Sequence, residues 1–178
     1  MSQNAKRTTR QILEDNMNRD APTEMANLKV WLHNIRSMHN VGSAFRSCDA
    51  LGAGELVLTG YTPTPPRPEI SKTALGADES TAWSTFENPL DEIKRLKEMG
   101  WRLLGIEQTE HSHTIDKLDV NPGDNIILFF GNEVTGLDDE LLPLMDTCFE
   151  IPQFGRKHSL NVSVSIGITL YHVLDRCP

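Results

Sequence analysis

The chain has no surplus of positive charge, no long apolar run and little cysteine. Its 17 lysines and arginines are outnumbered by 25 aspartates and glutamates, for a net charge of −8. That excludes attachment to nucleic acid through bulk positive charge and leaves only local clusters, such as Lys6, Arg7 and Arg10, or Arg156, Lys157 and His158. No stretch approaches the roughly 18 consecutive apolar residues of a membrane span. No basic segment followed by an apolar one opens the chain either. Neither a membrane nor DNA is expected as a partner. Cys48, Cys148 and Cys177 are odd in number and far apart, with no CxxC pair. A disulfide framework is thereby excluded, and a reduced, cytoplasmic protein is expected. His111, Ser112 and His113 form an HxH with no cysteine or acidic cluster at ligand spacing, so this reads as a loop and no metal is expected. The first apolar run is not followed by GxGxxG or by an acidic residue about twenty positions on, which argues against a Rossmann dinucleotide site.

What remains suits one α/β domain. With 178 residues and 38% hydrophobic content there is material for a full core. Residues 1–27 are polar, with Glu14, Asp15 and Asp20 after the basic cluster, and read as an arm carrying a thin-faced helix from about Thr8 to Met17. LKVWLH (28–33) is the first predicted strand. The helix after it has Asn40 as N-cap, an apolar stripe of Val41, Ala44, Phe45 and Cys48, and Gly52 at its end. Arg46 and Ser43 fall off that stripe. With Asn40 and the small Gly42 at the helix mouth, the junction suits a phosphate or ribose; the alternative is a capped surface helix with a solvated arginine.

ELVLTG (55–60) is the second strand, followed by a loop in which Pro63, Pro65, Pro66 and Pro68 forbid helix and central strand alike. Residues 70–75 suit one helical turn and 82–86 a short strand. Asn88 then caps a helix with Pro89 at its first position and Leu90, Ile93, Leu96 and Met99 on its buried side. WRLLGIE (101–107) is the next strand, and Asn121, Pro122 and Gly123 form a turn. Strands alternating with helices give a parallel sheet.

The densest signal lies in residues 126–174. Ile126, Ile127, Leu128, Phe129 and Phe130 are consecutive and apolar, as in a strand buried on both faces. Gly131 lets the backbone turn and lets something lie close against it. A short acidic helix is expected from LDDELL, a strand from CFEI, and a polar loop before a final helix over 162–174. That helix has apolar positions at Val162, Ile166, Thr169, Leu170 and Val173, and Ser159 or Asn161 can cap it. Its N-terminal amides favour an anionic group. Gly167 in its interior costs roughly 1 kcal/mol against alanine, so a close contact is expected there. Buried strands ending in Gly- and Ser-rich loops are where such sheets bind ligands.

Three segments together resemble the SpoU/TrmH-type RNA ribose methyltransferases of the SPOUT superfamily. They are HNVGSAFRSCDALG (39–52), ILFFGNEVTGLDDELL (127–142) and IPQFGRKHSLNVSVSIGITLYHV (151–173), while PPRPEISKTALGADES (65–80) is similar to one bacterial branch. The resemblance implies an α/β parallel-sheet SPOUT fold over residues 28–178 whose C-terminal segment threads a deep trefoil knot. It also implies S-adenosylmethionine as cofactor, a homodimer, and methyl transfer to a ribose 2′-hydroxyl of tRNA or rRNA.

By position, Gly131, Ile151, Ser159 and Leu160 match cofactor-binding residues, and Asn40, Arg46, Glu133, Ser159 and Asn161 match the polar active-site set. An arginine is a poor proton acceptor, so Arg46 is expected to grip phosphate and ribose oxygens. Asn40 and Asn161 would orient the ribose and Arg46, and Glu133 would pair with Arg46 or with a loop amide. One protomer would supply Arg46 and the other the cofactor. The N-terminal arm would be a solvated or partly ordered segment, or would touch RNA phosphates or a partner subunit. Ser163, Ser165 and Gly167 would serve either a dimer contact or packing within the knot. A non-catalytic RNA-binding member and a base-methylating enzyme of the superfamily remain alternatives.

Overall fold

Among the described residues, seven strands form one sheet in the order β3-β2-β1-β6-β4-β7-β5, and every pairing in it is parallel. The computed structural model describes residues 5–19, 23–121 and 123–176; Asp20, Pro122 and Cys177 lie outside the described residues. In chain order the first elements are α1 (Thr9–Met17), β1 (Leu28–His33), α2 (Met38–Leu51), β2 (Glu55–Thr59), α3 (Pro68–Ala74) and α4 (Ala77–Ser80). There follow β3 (Trp83–Ser84), α5 (Pro89–Glu98), β4 (Arg102–Ile106), β5 (His113–Thr114), β6 (Ile126–Phe130), β7 (Thr147–Glu150) and α6 (Val162–Arg176).

The five apolar residues of β6 explain the layering. All five are buried, because β6 sits between β1 and β4 and is covered on both faces. Ile126, Leu128 and Phe130 point into a core shared with α2 (Val41, Ala44, Phe45, Cys48) and α6 (Ile166, Leu170, Val173). Ile127 and Phe129 point the other way, into a core with Trp31 and with Ile93 and Leu96 of α5. Trp31 stacks on Phe129 at 5.1 Å between ring centroids. Burying each such side chain contributes about 1.5–3 kcal/mol, so the central strand anchors both layers.

Several local expectations change. Helix α2 starts before Asn40: Ser37 is its N-cap and accepts from the Asn40 N–H. Asn40 stands inside the first turn, which frees its side chain for other partners. Gly42 does not open toward a ligand; a Cβ there would overlap Thr73 Oγ1 and the Ile70 carbonyl of α3. Pro68 opens α3 at its first position, where a missing N–H costs nothing. Asn88 makes no side-chain cap bond, and Met99 is exposed. His113 lies in the edge strand β5, not in a loop. The acidic helix does not form: residues 139–141 are turn, followed by a 3-10 turn at Leu142–Leu144. Among the described residues Gly167 meets only Ser47 Oγ at 3.9 Å, an ordinary contact, so none of them requires a glycine there. The α1 helix forms with a Thr8 capping box and buries none of its residues, whereas Met25 is fully buried in the main core.

Candidate active site

Parallel sheets expose their carboxyl-terminal strand ends together, and here β4, β6 and β7 end around one cleft of about 330 Å³. Its walls are the end of β4 (Ile106, Glu107, Gln108), the loop after β6 (131–136), the loop after β7, and the first turn of α6. Gly131, Glu133, Ile151, Ser159 and Leu160 all line it. Asn40, Asn161 and Arg46 do not.

The β6 loop is drawn tightly against its own return. A Cβ on Gly131 would overlap backbone atoms of Gly136 and Leu137. Asn132 and Gly136 exchange backbone hydrogen bonds of 2.9 Å each way. The Asn132 Oδ1 accepts from the N–H groups of Val134 (2.8 Å) and Thr135 (3.1 Å), while its Nδ2 donates to the Asn34 carbonyl and to Tyr61 Oη, both at 2.8 Å. From the other side, Glu107 Oε2 accepts from the Leu137 N–H at 2.9 Å.

Glu133 accepts from the backbone N–H groups of Arg36 and Ser37 at 3.0 Å each and from Asn40 Nδ2 at 2.9 Å. Asn161 Nδ2 donates in turn to Asn40 Oδ1 at 3.2 Å. Within the chain Glu133 is thus held by loop amides and Asn40, and Arg46 of the same chain is not among its partners. Burial alone would raise the Glu133 pKa, but these bonds to its charged form outweigh burial and hold it below the usual carboxylate value. Asn161 also caps α6, its Oδ1 accepting from the Ser163 N–H at 2.8 Å. So one chain, Glu133–Asn40–Asn161, ties the β6 loop to the N-termini of both α2 and α6.

Arg46 lies apart from this group. It is exposed on α2 and lines a separate depression with Ser43, Ser47, Lys72 and Thr73. Sequence reasoning missed Glu107, Gln108 and Asn132, and marked His158 only as part of a basic cluster. Gln108 Nε2 donates to the His158 carbonyl at 2.9 Å, the bond that joins the β7 loop to the end of β4. Only the position of Glu107 and Gln108 at the carboxyl end of a predicted strand could have marked them.

The chain is 34% identical over 137 residues to the tRNA (guanosine(18)-2′-O)-methyltransferase of Saccharomyces cerevisiae, covering 74% of this chain and 9% of that protein. It is 31% identical over 139 residues to the 23S rRNA (guanosine-2′-O-)-methyltransferase RlmB of Neisseria meningitidis serogroup B, covering 78% of this chain and 54% of that protein. The chain therefore spans about half, or far less, of the length of these relatives. Among solved structures, the AdoMet-bound rRNA methyltransferase of Sinorhizobium meliloti superposes with a TM-score of 0.75 at 25% identity, over 87% of this chain and 60% of that one. The model of the SpoU rRNA Methylase family matches residues 27–171, a span that includes every wall of the cleft, and the chain belongs to that family.

Proposed function

We propose that this chain is an S-adenosylmethionine-dependent RNA methyltransferase acting on a ribose 2′-hydroxyl of tRNA or rRNA. The observation that carries the reading is the cleft itself. Gly131 from the loop after β6, and Ile151, Ser159 and Leu160 from the loop after β7, converge on it beside the hydrogen-bonded set of Glu133, Asn40 and Asn161.

The cleft fits the cofactor. Gly131 leaves backbone, not side chain, facing the site. Ile106, Phe130, Phe149 and Leu160 provide apolar surface for a purine, and the N-terminus of α6 favours a carboxylate. S-adenosylmethionine supplies an activated methyl group, which leaves positioning and electrostatics to the protein. Asn40 and Asn161 are fixed by their mutual bond and by Glu133, so their remaining polar capacity can orient a ribose. Glu133 stays ionised and holds the start of α2 in place.

Arg46 grips the sugar-phosphate with its guanidinium fork and lowers the hydroxyl's pKa. Because Arg46 is outside the cleft of its own chain, the reading assigns it to the site of a second copy in a homodimer. Val164, Ile168 and Tyr171, exposed along α6, support such a pairing. The reading also takes the segment after β6 to form the family's deep trefoil knot, residues 28–178 to act as the methyltransferase domain behind the 1–27 arm, and the protein to work in the cytoplasm. Calorimetry with S-adenosylmethionine, together with mapping of ribose methylation in total RNA from cells lacking the protein, tests the whole. Arg46→Ala is expected to abolish methyl transfer while cofactor affinity stays within a few-fold; near-normal turnover would remove Arg46 from this role.

A further inference from the structure

Beside the cleft lies a second depression of about 420 Å³, walled by Arg36, Tyr61, Pro63, Thr64 and Arg67. It shares structure with the cleft at two points. The Arg36 N–H donates to Glu133, and Tyr61 Oη accepts from Asn132 Nδ2, both of which line the cleft. Tyr61 is 60% exposed yet pinned at both ends, since its backbone N–H also donates to Asn34 Oδ1 at 3.1 Å. A flat aromatic face is therefore held toward solvent in a set orientation, with little rotamer freedom left to lose on binding.

The arginines of this chain divide into those that pair with a carboxylate and those, Arg19, Arg46, Arg156 and Arg176 among them, that make no salt bridge among the described residues. Arg7, Arg10, Arg95 and Arg102 each pair with a carboxylate. Arg36 and Arg67 are exposed, and among the described residues neither makes a salt bridge. Arg67 precedes α3 without any side-chain cap bond. The prolines between Tyr61 and Arg67 restrict the backbone that spaces them. In a chain with net charge −8, two uncompensated guanidinium groups flanking an aromatic face form a local site for an anion joined to a planar ring.

That chemistry is a nucleotide of single-stranded RNA: bases stack on aromatic rings, and guanidinium groups hold phosphates. We propose that this depression is a subsite for a nucleotide next to the reacting ribose, its base stacked on Tyr61 and its phosphate held by Arg36 and Arg67. The placement next to the ribose rests on the methyltransferase reading above; the binding chemistry does not.

Fluorescence anisotropy of a labelled, unstructured RNA heptamer with the full chain, over a salt series, tests the subsite. Tyr61→Ala is expected to weaken binding about tenfold, and Tyr61→Phe, which keeps the ring and loses only the bond to Asn132, less than threefold. Arg67→Ala is expected to reduce the slope of log K against log salt by about 0.7. Should Tyr61→Ala fail to fold, Arg67→Ala decides, because its side chain makes no cap contact. Binding by both Tyr61→Ala and Arg67→Ala within twofold of wild type, or a wild type without RNA affinity, overturns the subsite. Calorimetry with S-adenosylmethionine on the same samples separates the two readings. Wild type that binds RNA through Tyr61 but takes up no cofactor sinks the methyltransferase assignment and supports the subsite; unchanged cofactor uptake with RNA affinity lost in the variants supports both.

Discussion

The two loops that close the cleft are built in opposite ways. The loop after β6 is knit to itself and to its surroundings by Asn132, by Glu107 and by the tight approach of Gly131 to Gly136. The loop after β7, residues 151–161, has no regular structure, and Phe154 in it is 98% exposed. It is joined to the rest through Gln108 and, at its end, through the Asn161–Asn40 bond. One wall is fixed by many hydrogen bonds of its own, and the other is held by few. Preorganising one wall lowers the cost of positioning the reacting groups, while a less constrained wall lets ligand in and out.

Gly131→Ala attacks the preorganised wall directly. Its Cβ would overlap backbone that cannot rotate away, so a stability loss of about 1–3 kcal/mol and at least a tenfold loss of S-adenosylmethionine affinity are expected. Urea denaturation and calorimetry read the two effects. A variant as stable and as tight as wild type would erase the contrast between the loops.

Glu133→Gln tests the same wall more gently. The carboxylate receives three hydrogen bonds from neighbouring elements, and bonds to a charged group contribute about 1.5–3 kcal/mol each before desolvation is subtracted. A net loss of about 1–2 kcal/mol is expected. With its folded pKa held below the ordinary value, the wild-type carboxylate contributes stability that is complete above the unfolded value, about 4.3, and lost as pH falls through the folded one. The variant should lack that acid-side decline, measured as the difference between their stabilities from pH 7 down to pH 3.

Gly167→Ala extends the comparison into α6, the helix to which the looser loop leads. None of the described residues presses on this position, so alanine should stabilise the fold by about 0.5–1 kcal/mol. A fall in stability together with a drop in light-scattering mass would instead show a second copy packed against Gly167. The smallest effect is expected in the β7 loop itself. Phe154→Ser should leave thermal stability within about 0.5 kcal/mol of wild type, and a larger loss would mean that this wall is as fixed as the other.

The legible parts of this protein were those with local causes. LKVWLH and IILFF became β1 and β6 with the bounds read from the sequence, because an unbroken apolar run has few stable fates except a doubly covered strand. Gly131, Ile151, Ser159 and Leu160 did converge on one cleft. Local cues failed where a neighbour decided the outcome. Gly42 looked like an opening for phosphate, yet α3 packs on it. Asn40 looked like a cap, but Ser37 took that place and Asn40 turned to Glu133. LDDELL has helical composition, yet its stretch is spent on turns that return the chain toward β7.

By itself the sequence determined the alternation of strands and helices, the doubly buried centre and the small residues on which the turns depend, since these follow from hydrophobic period and backbone sterics. Only the tertiary structure decided that β4 lies between β6 and β7. That strand order brings Glu107 and Gln108 to the cleft. It arises from the packing of distant segments, and no window of neighbouring residues contains it.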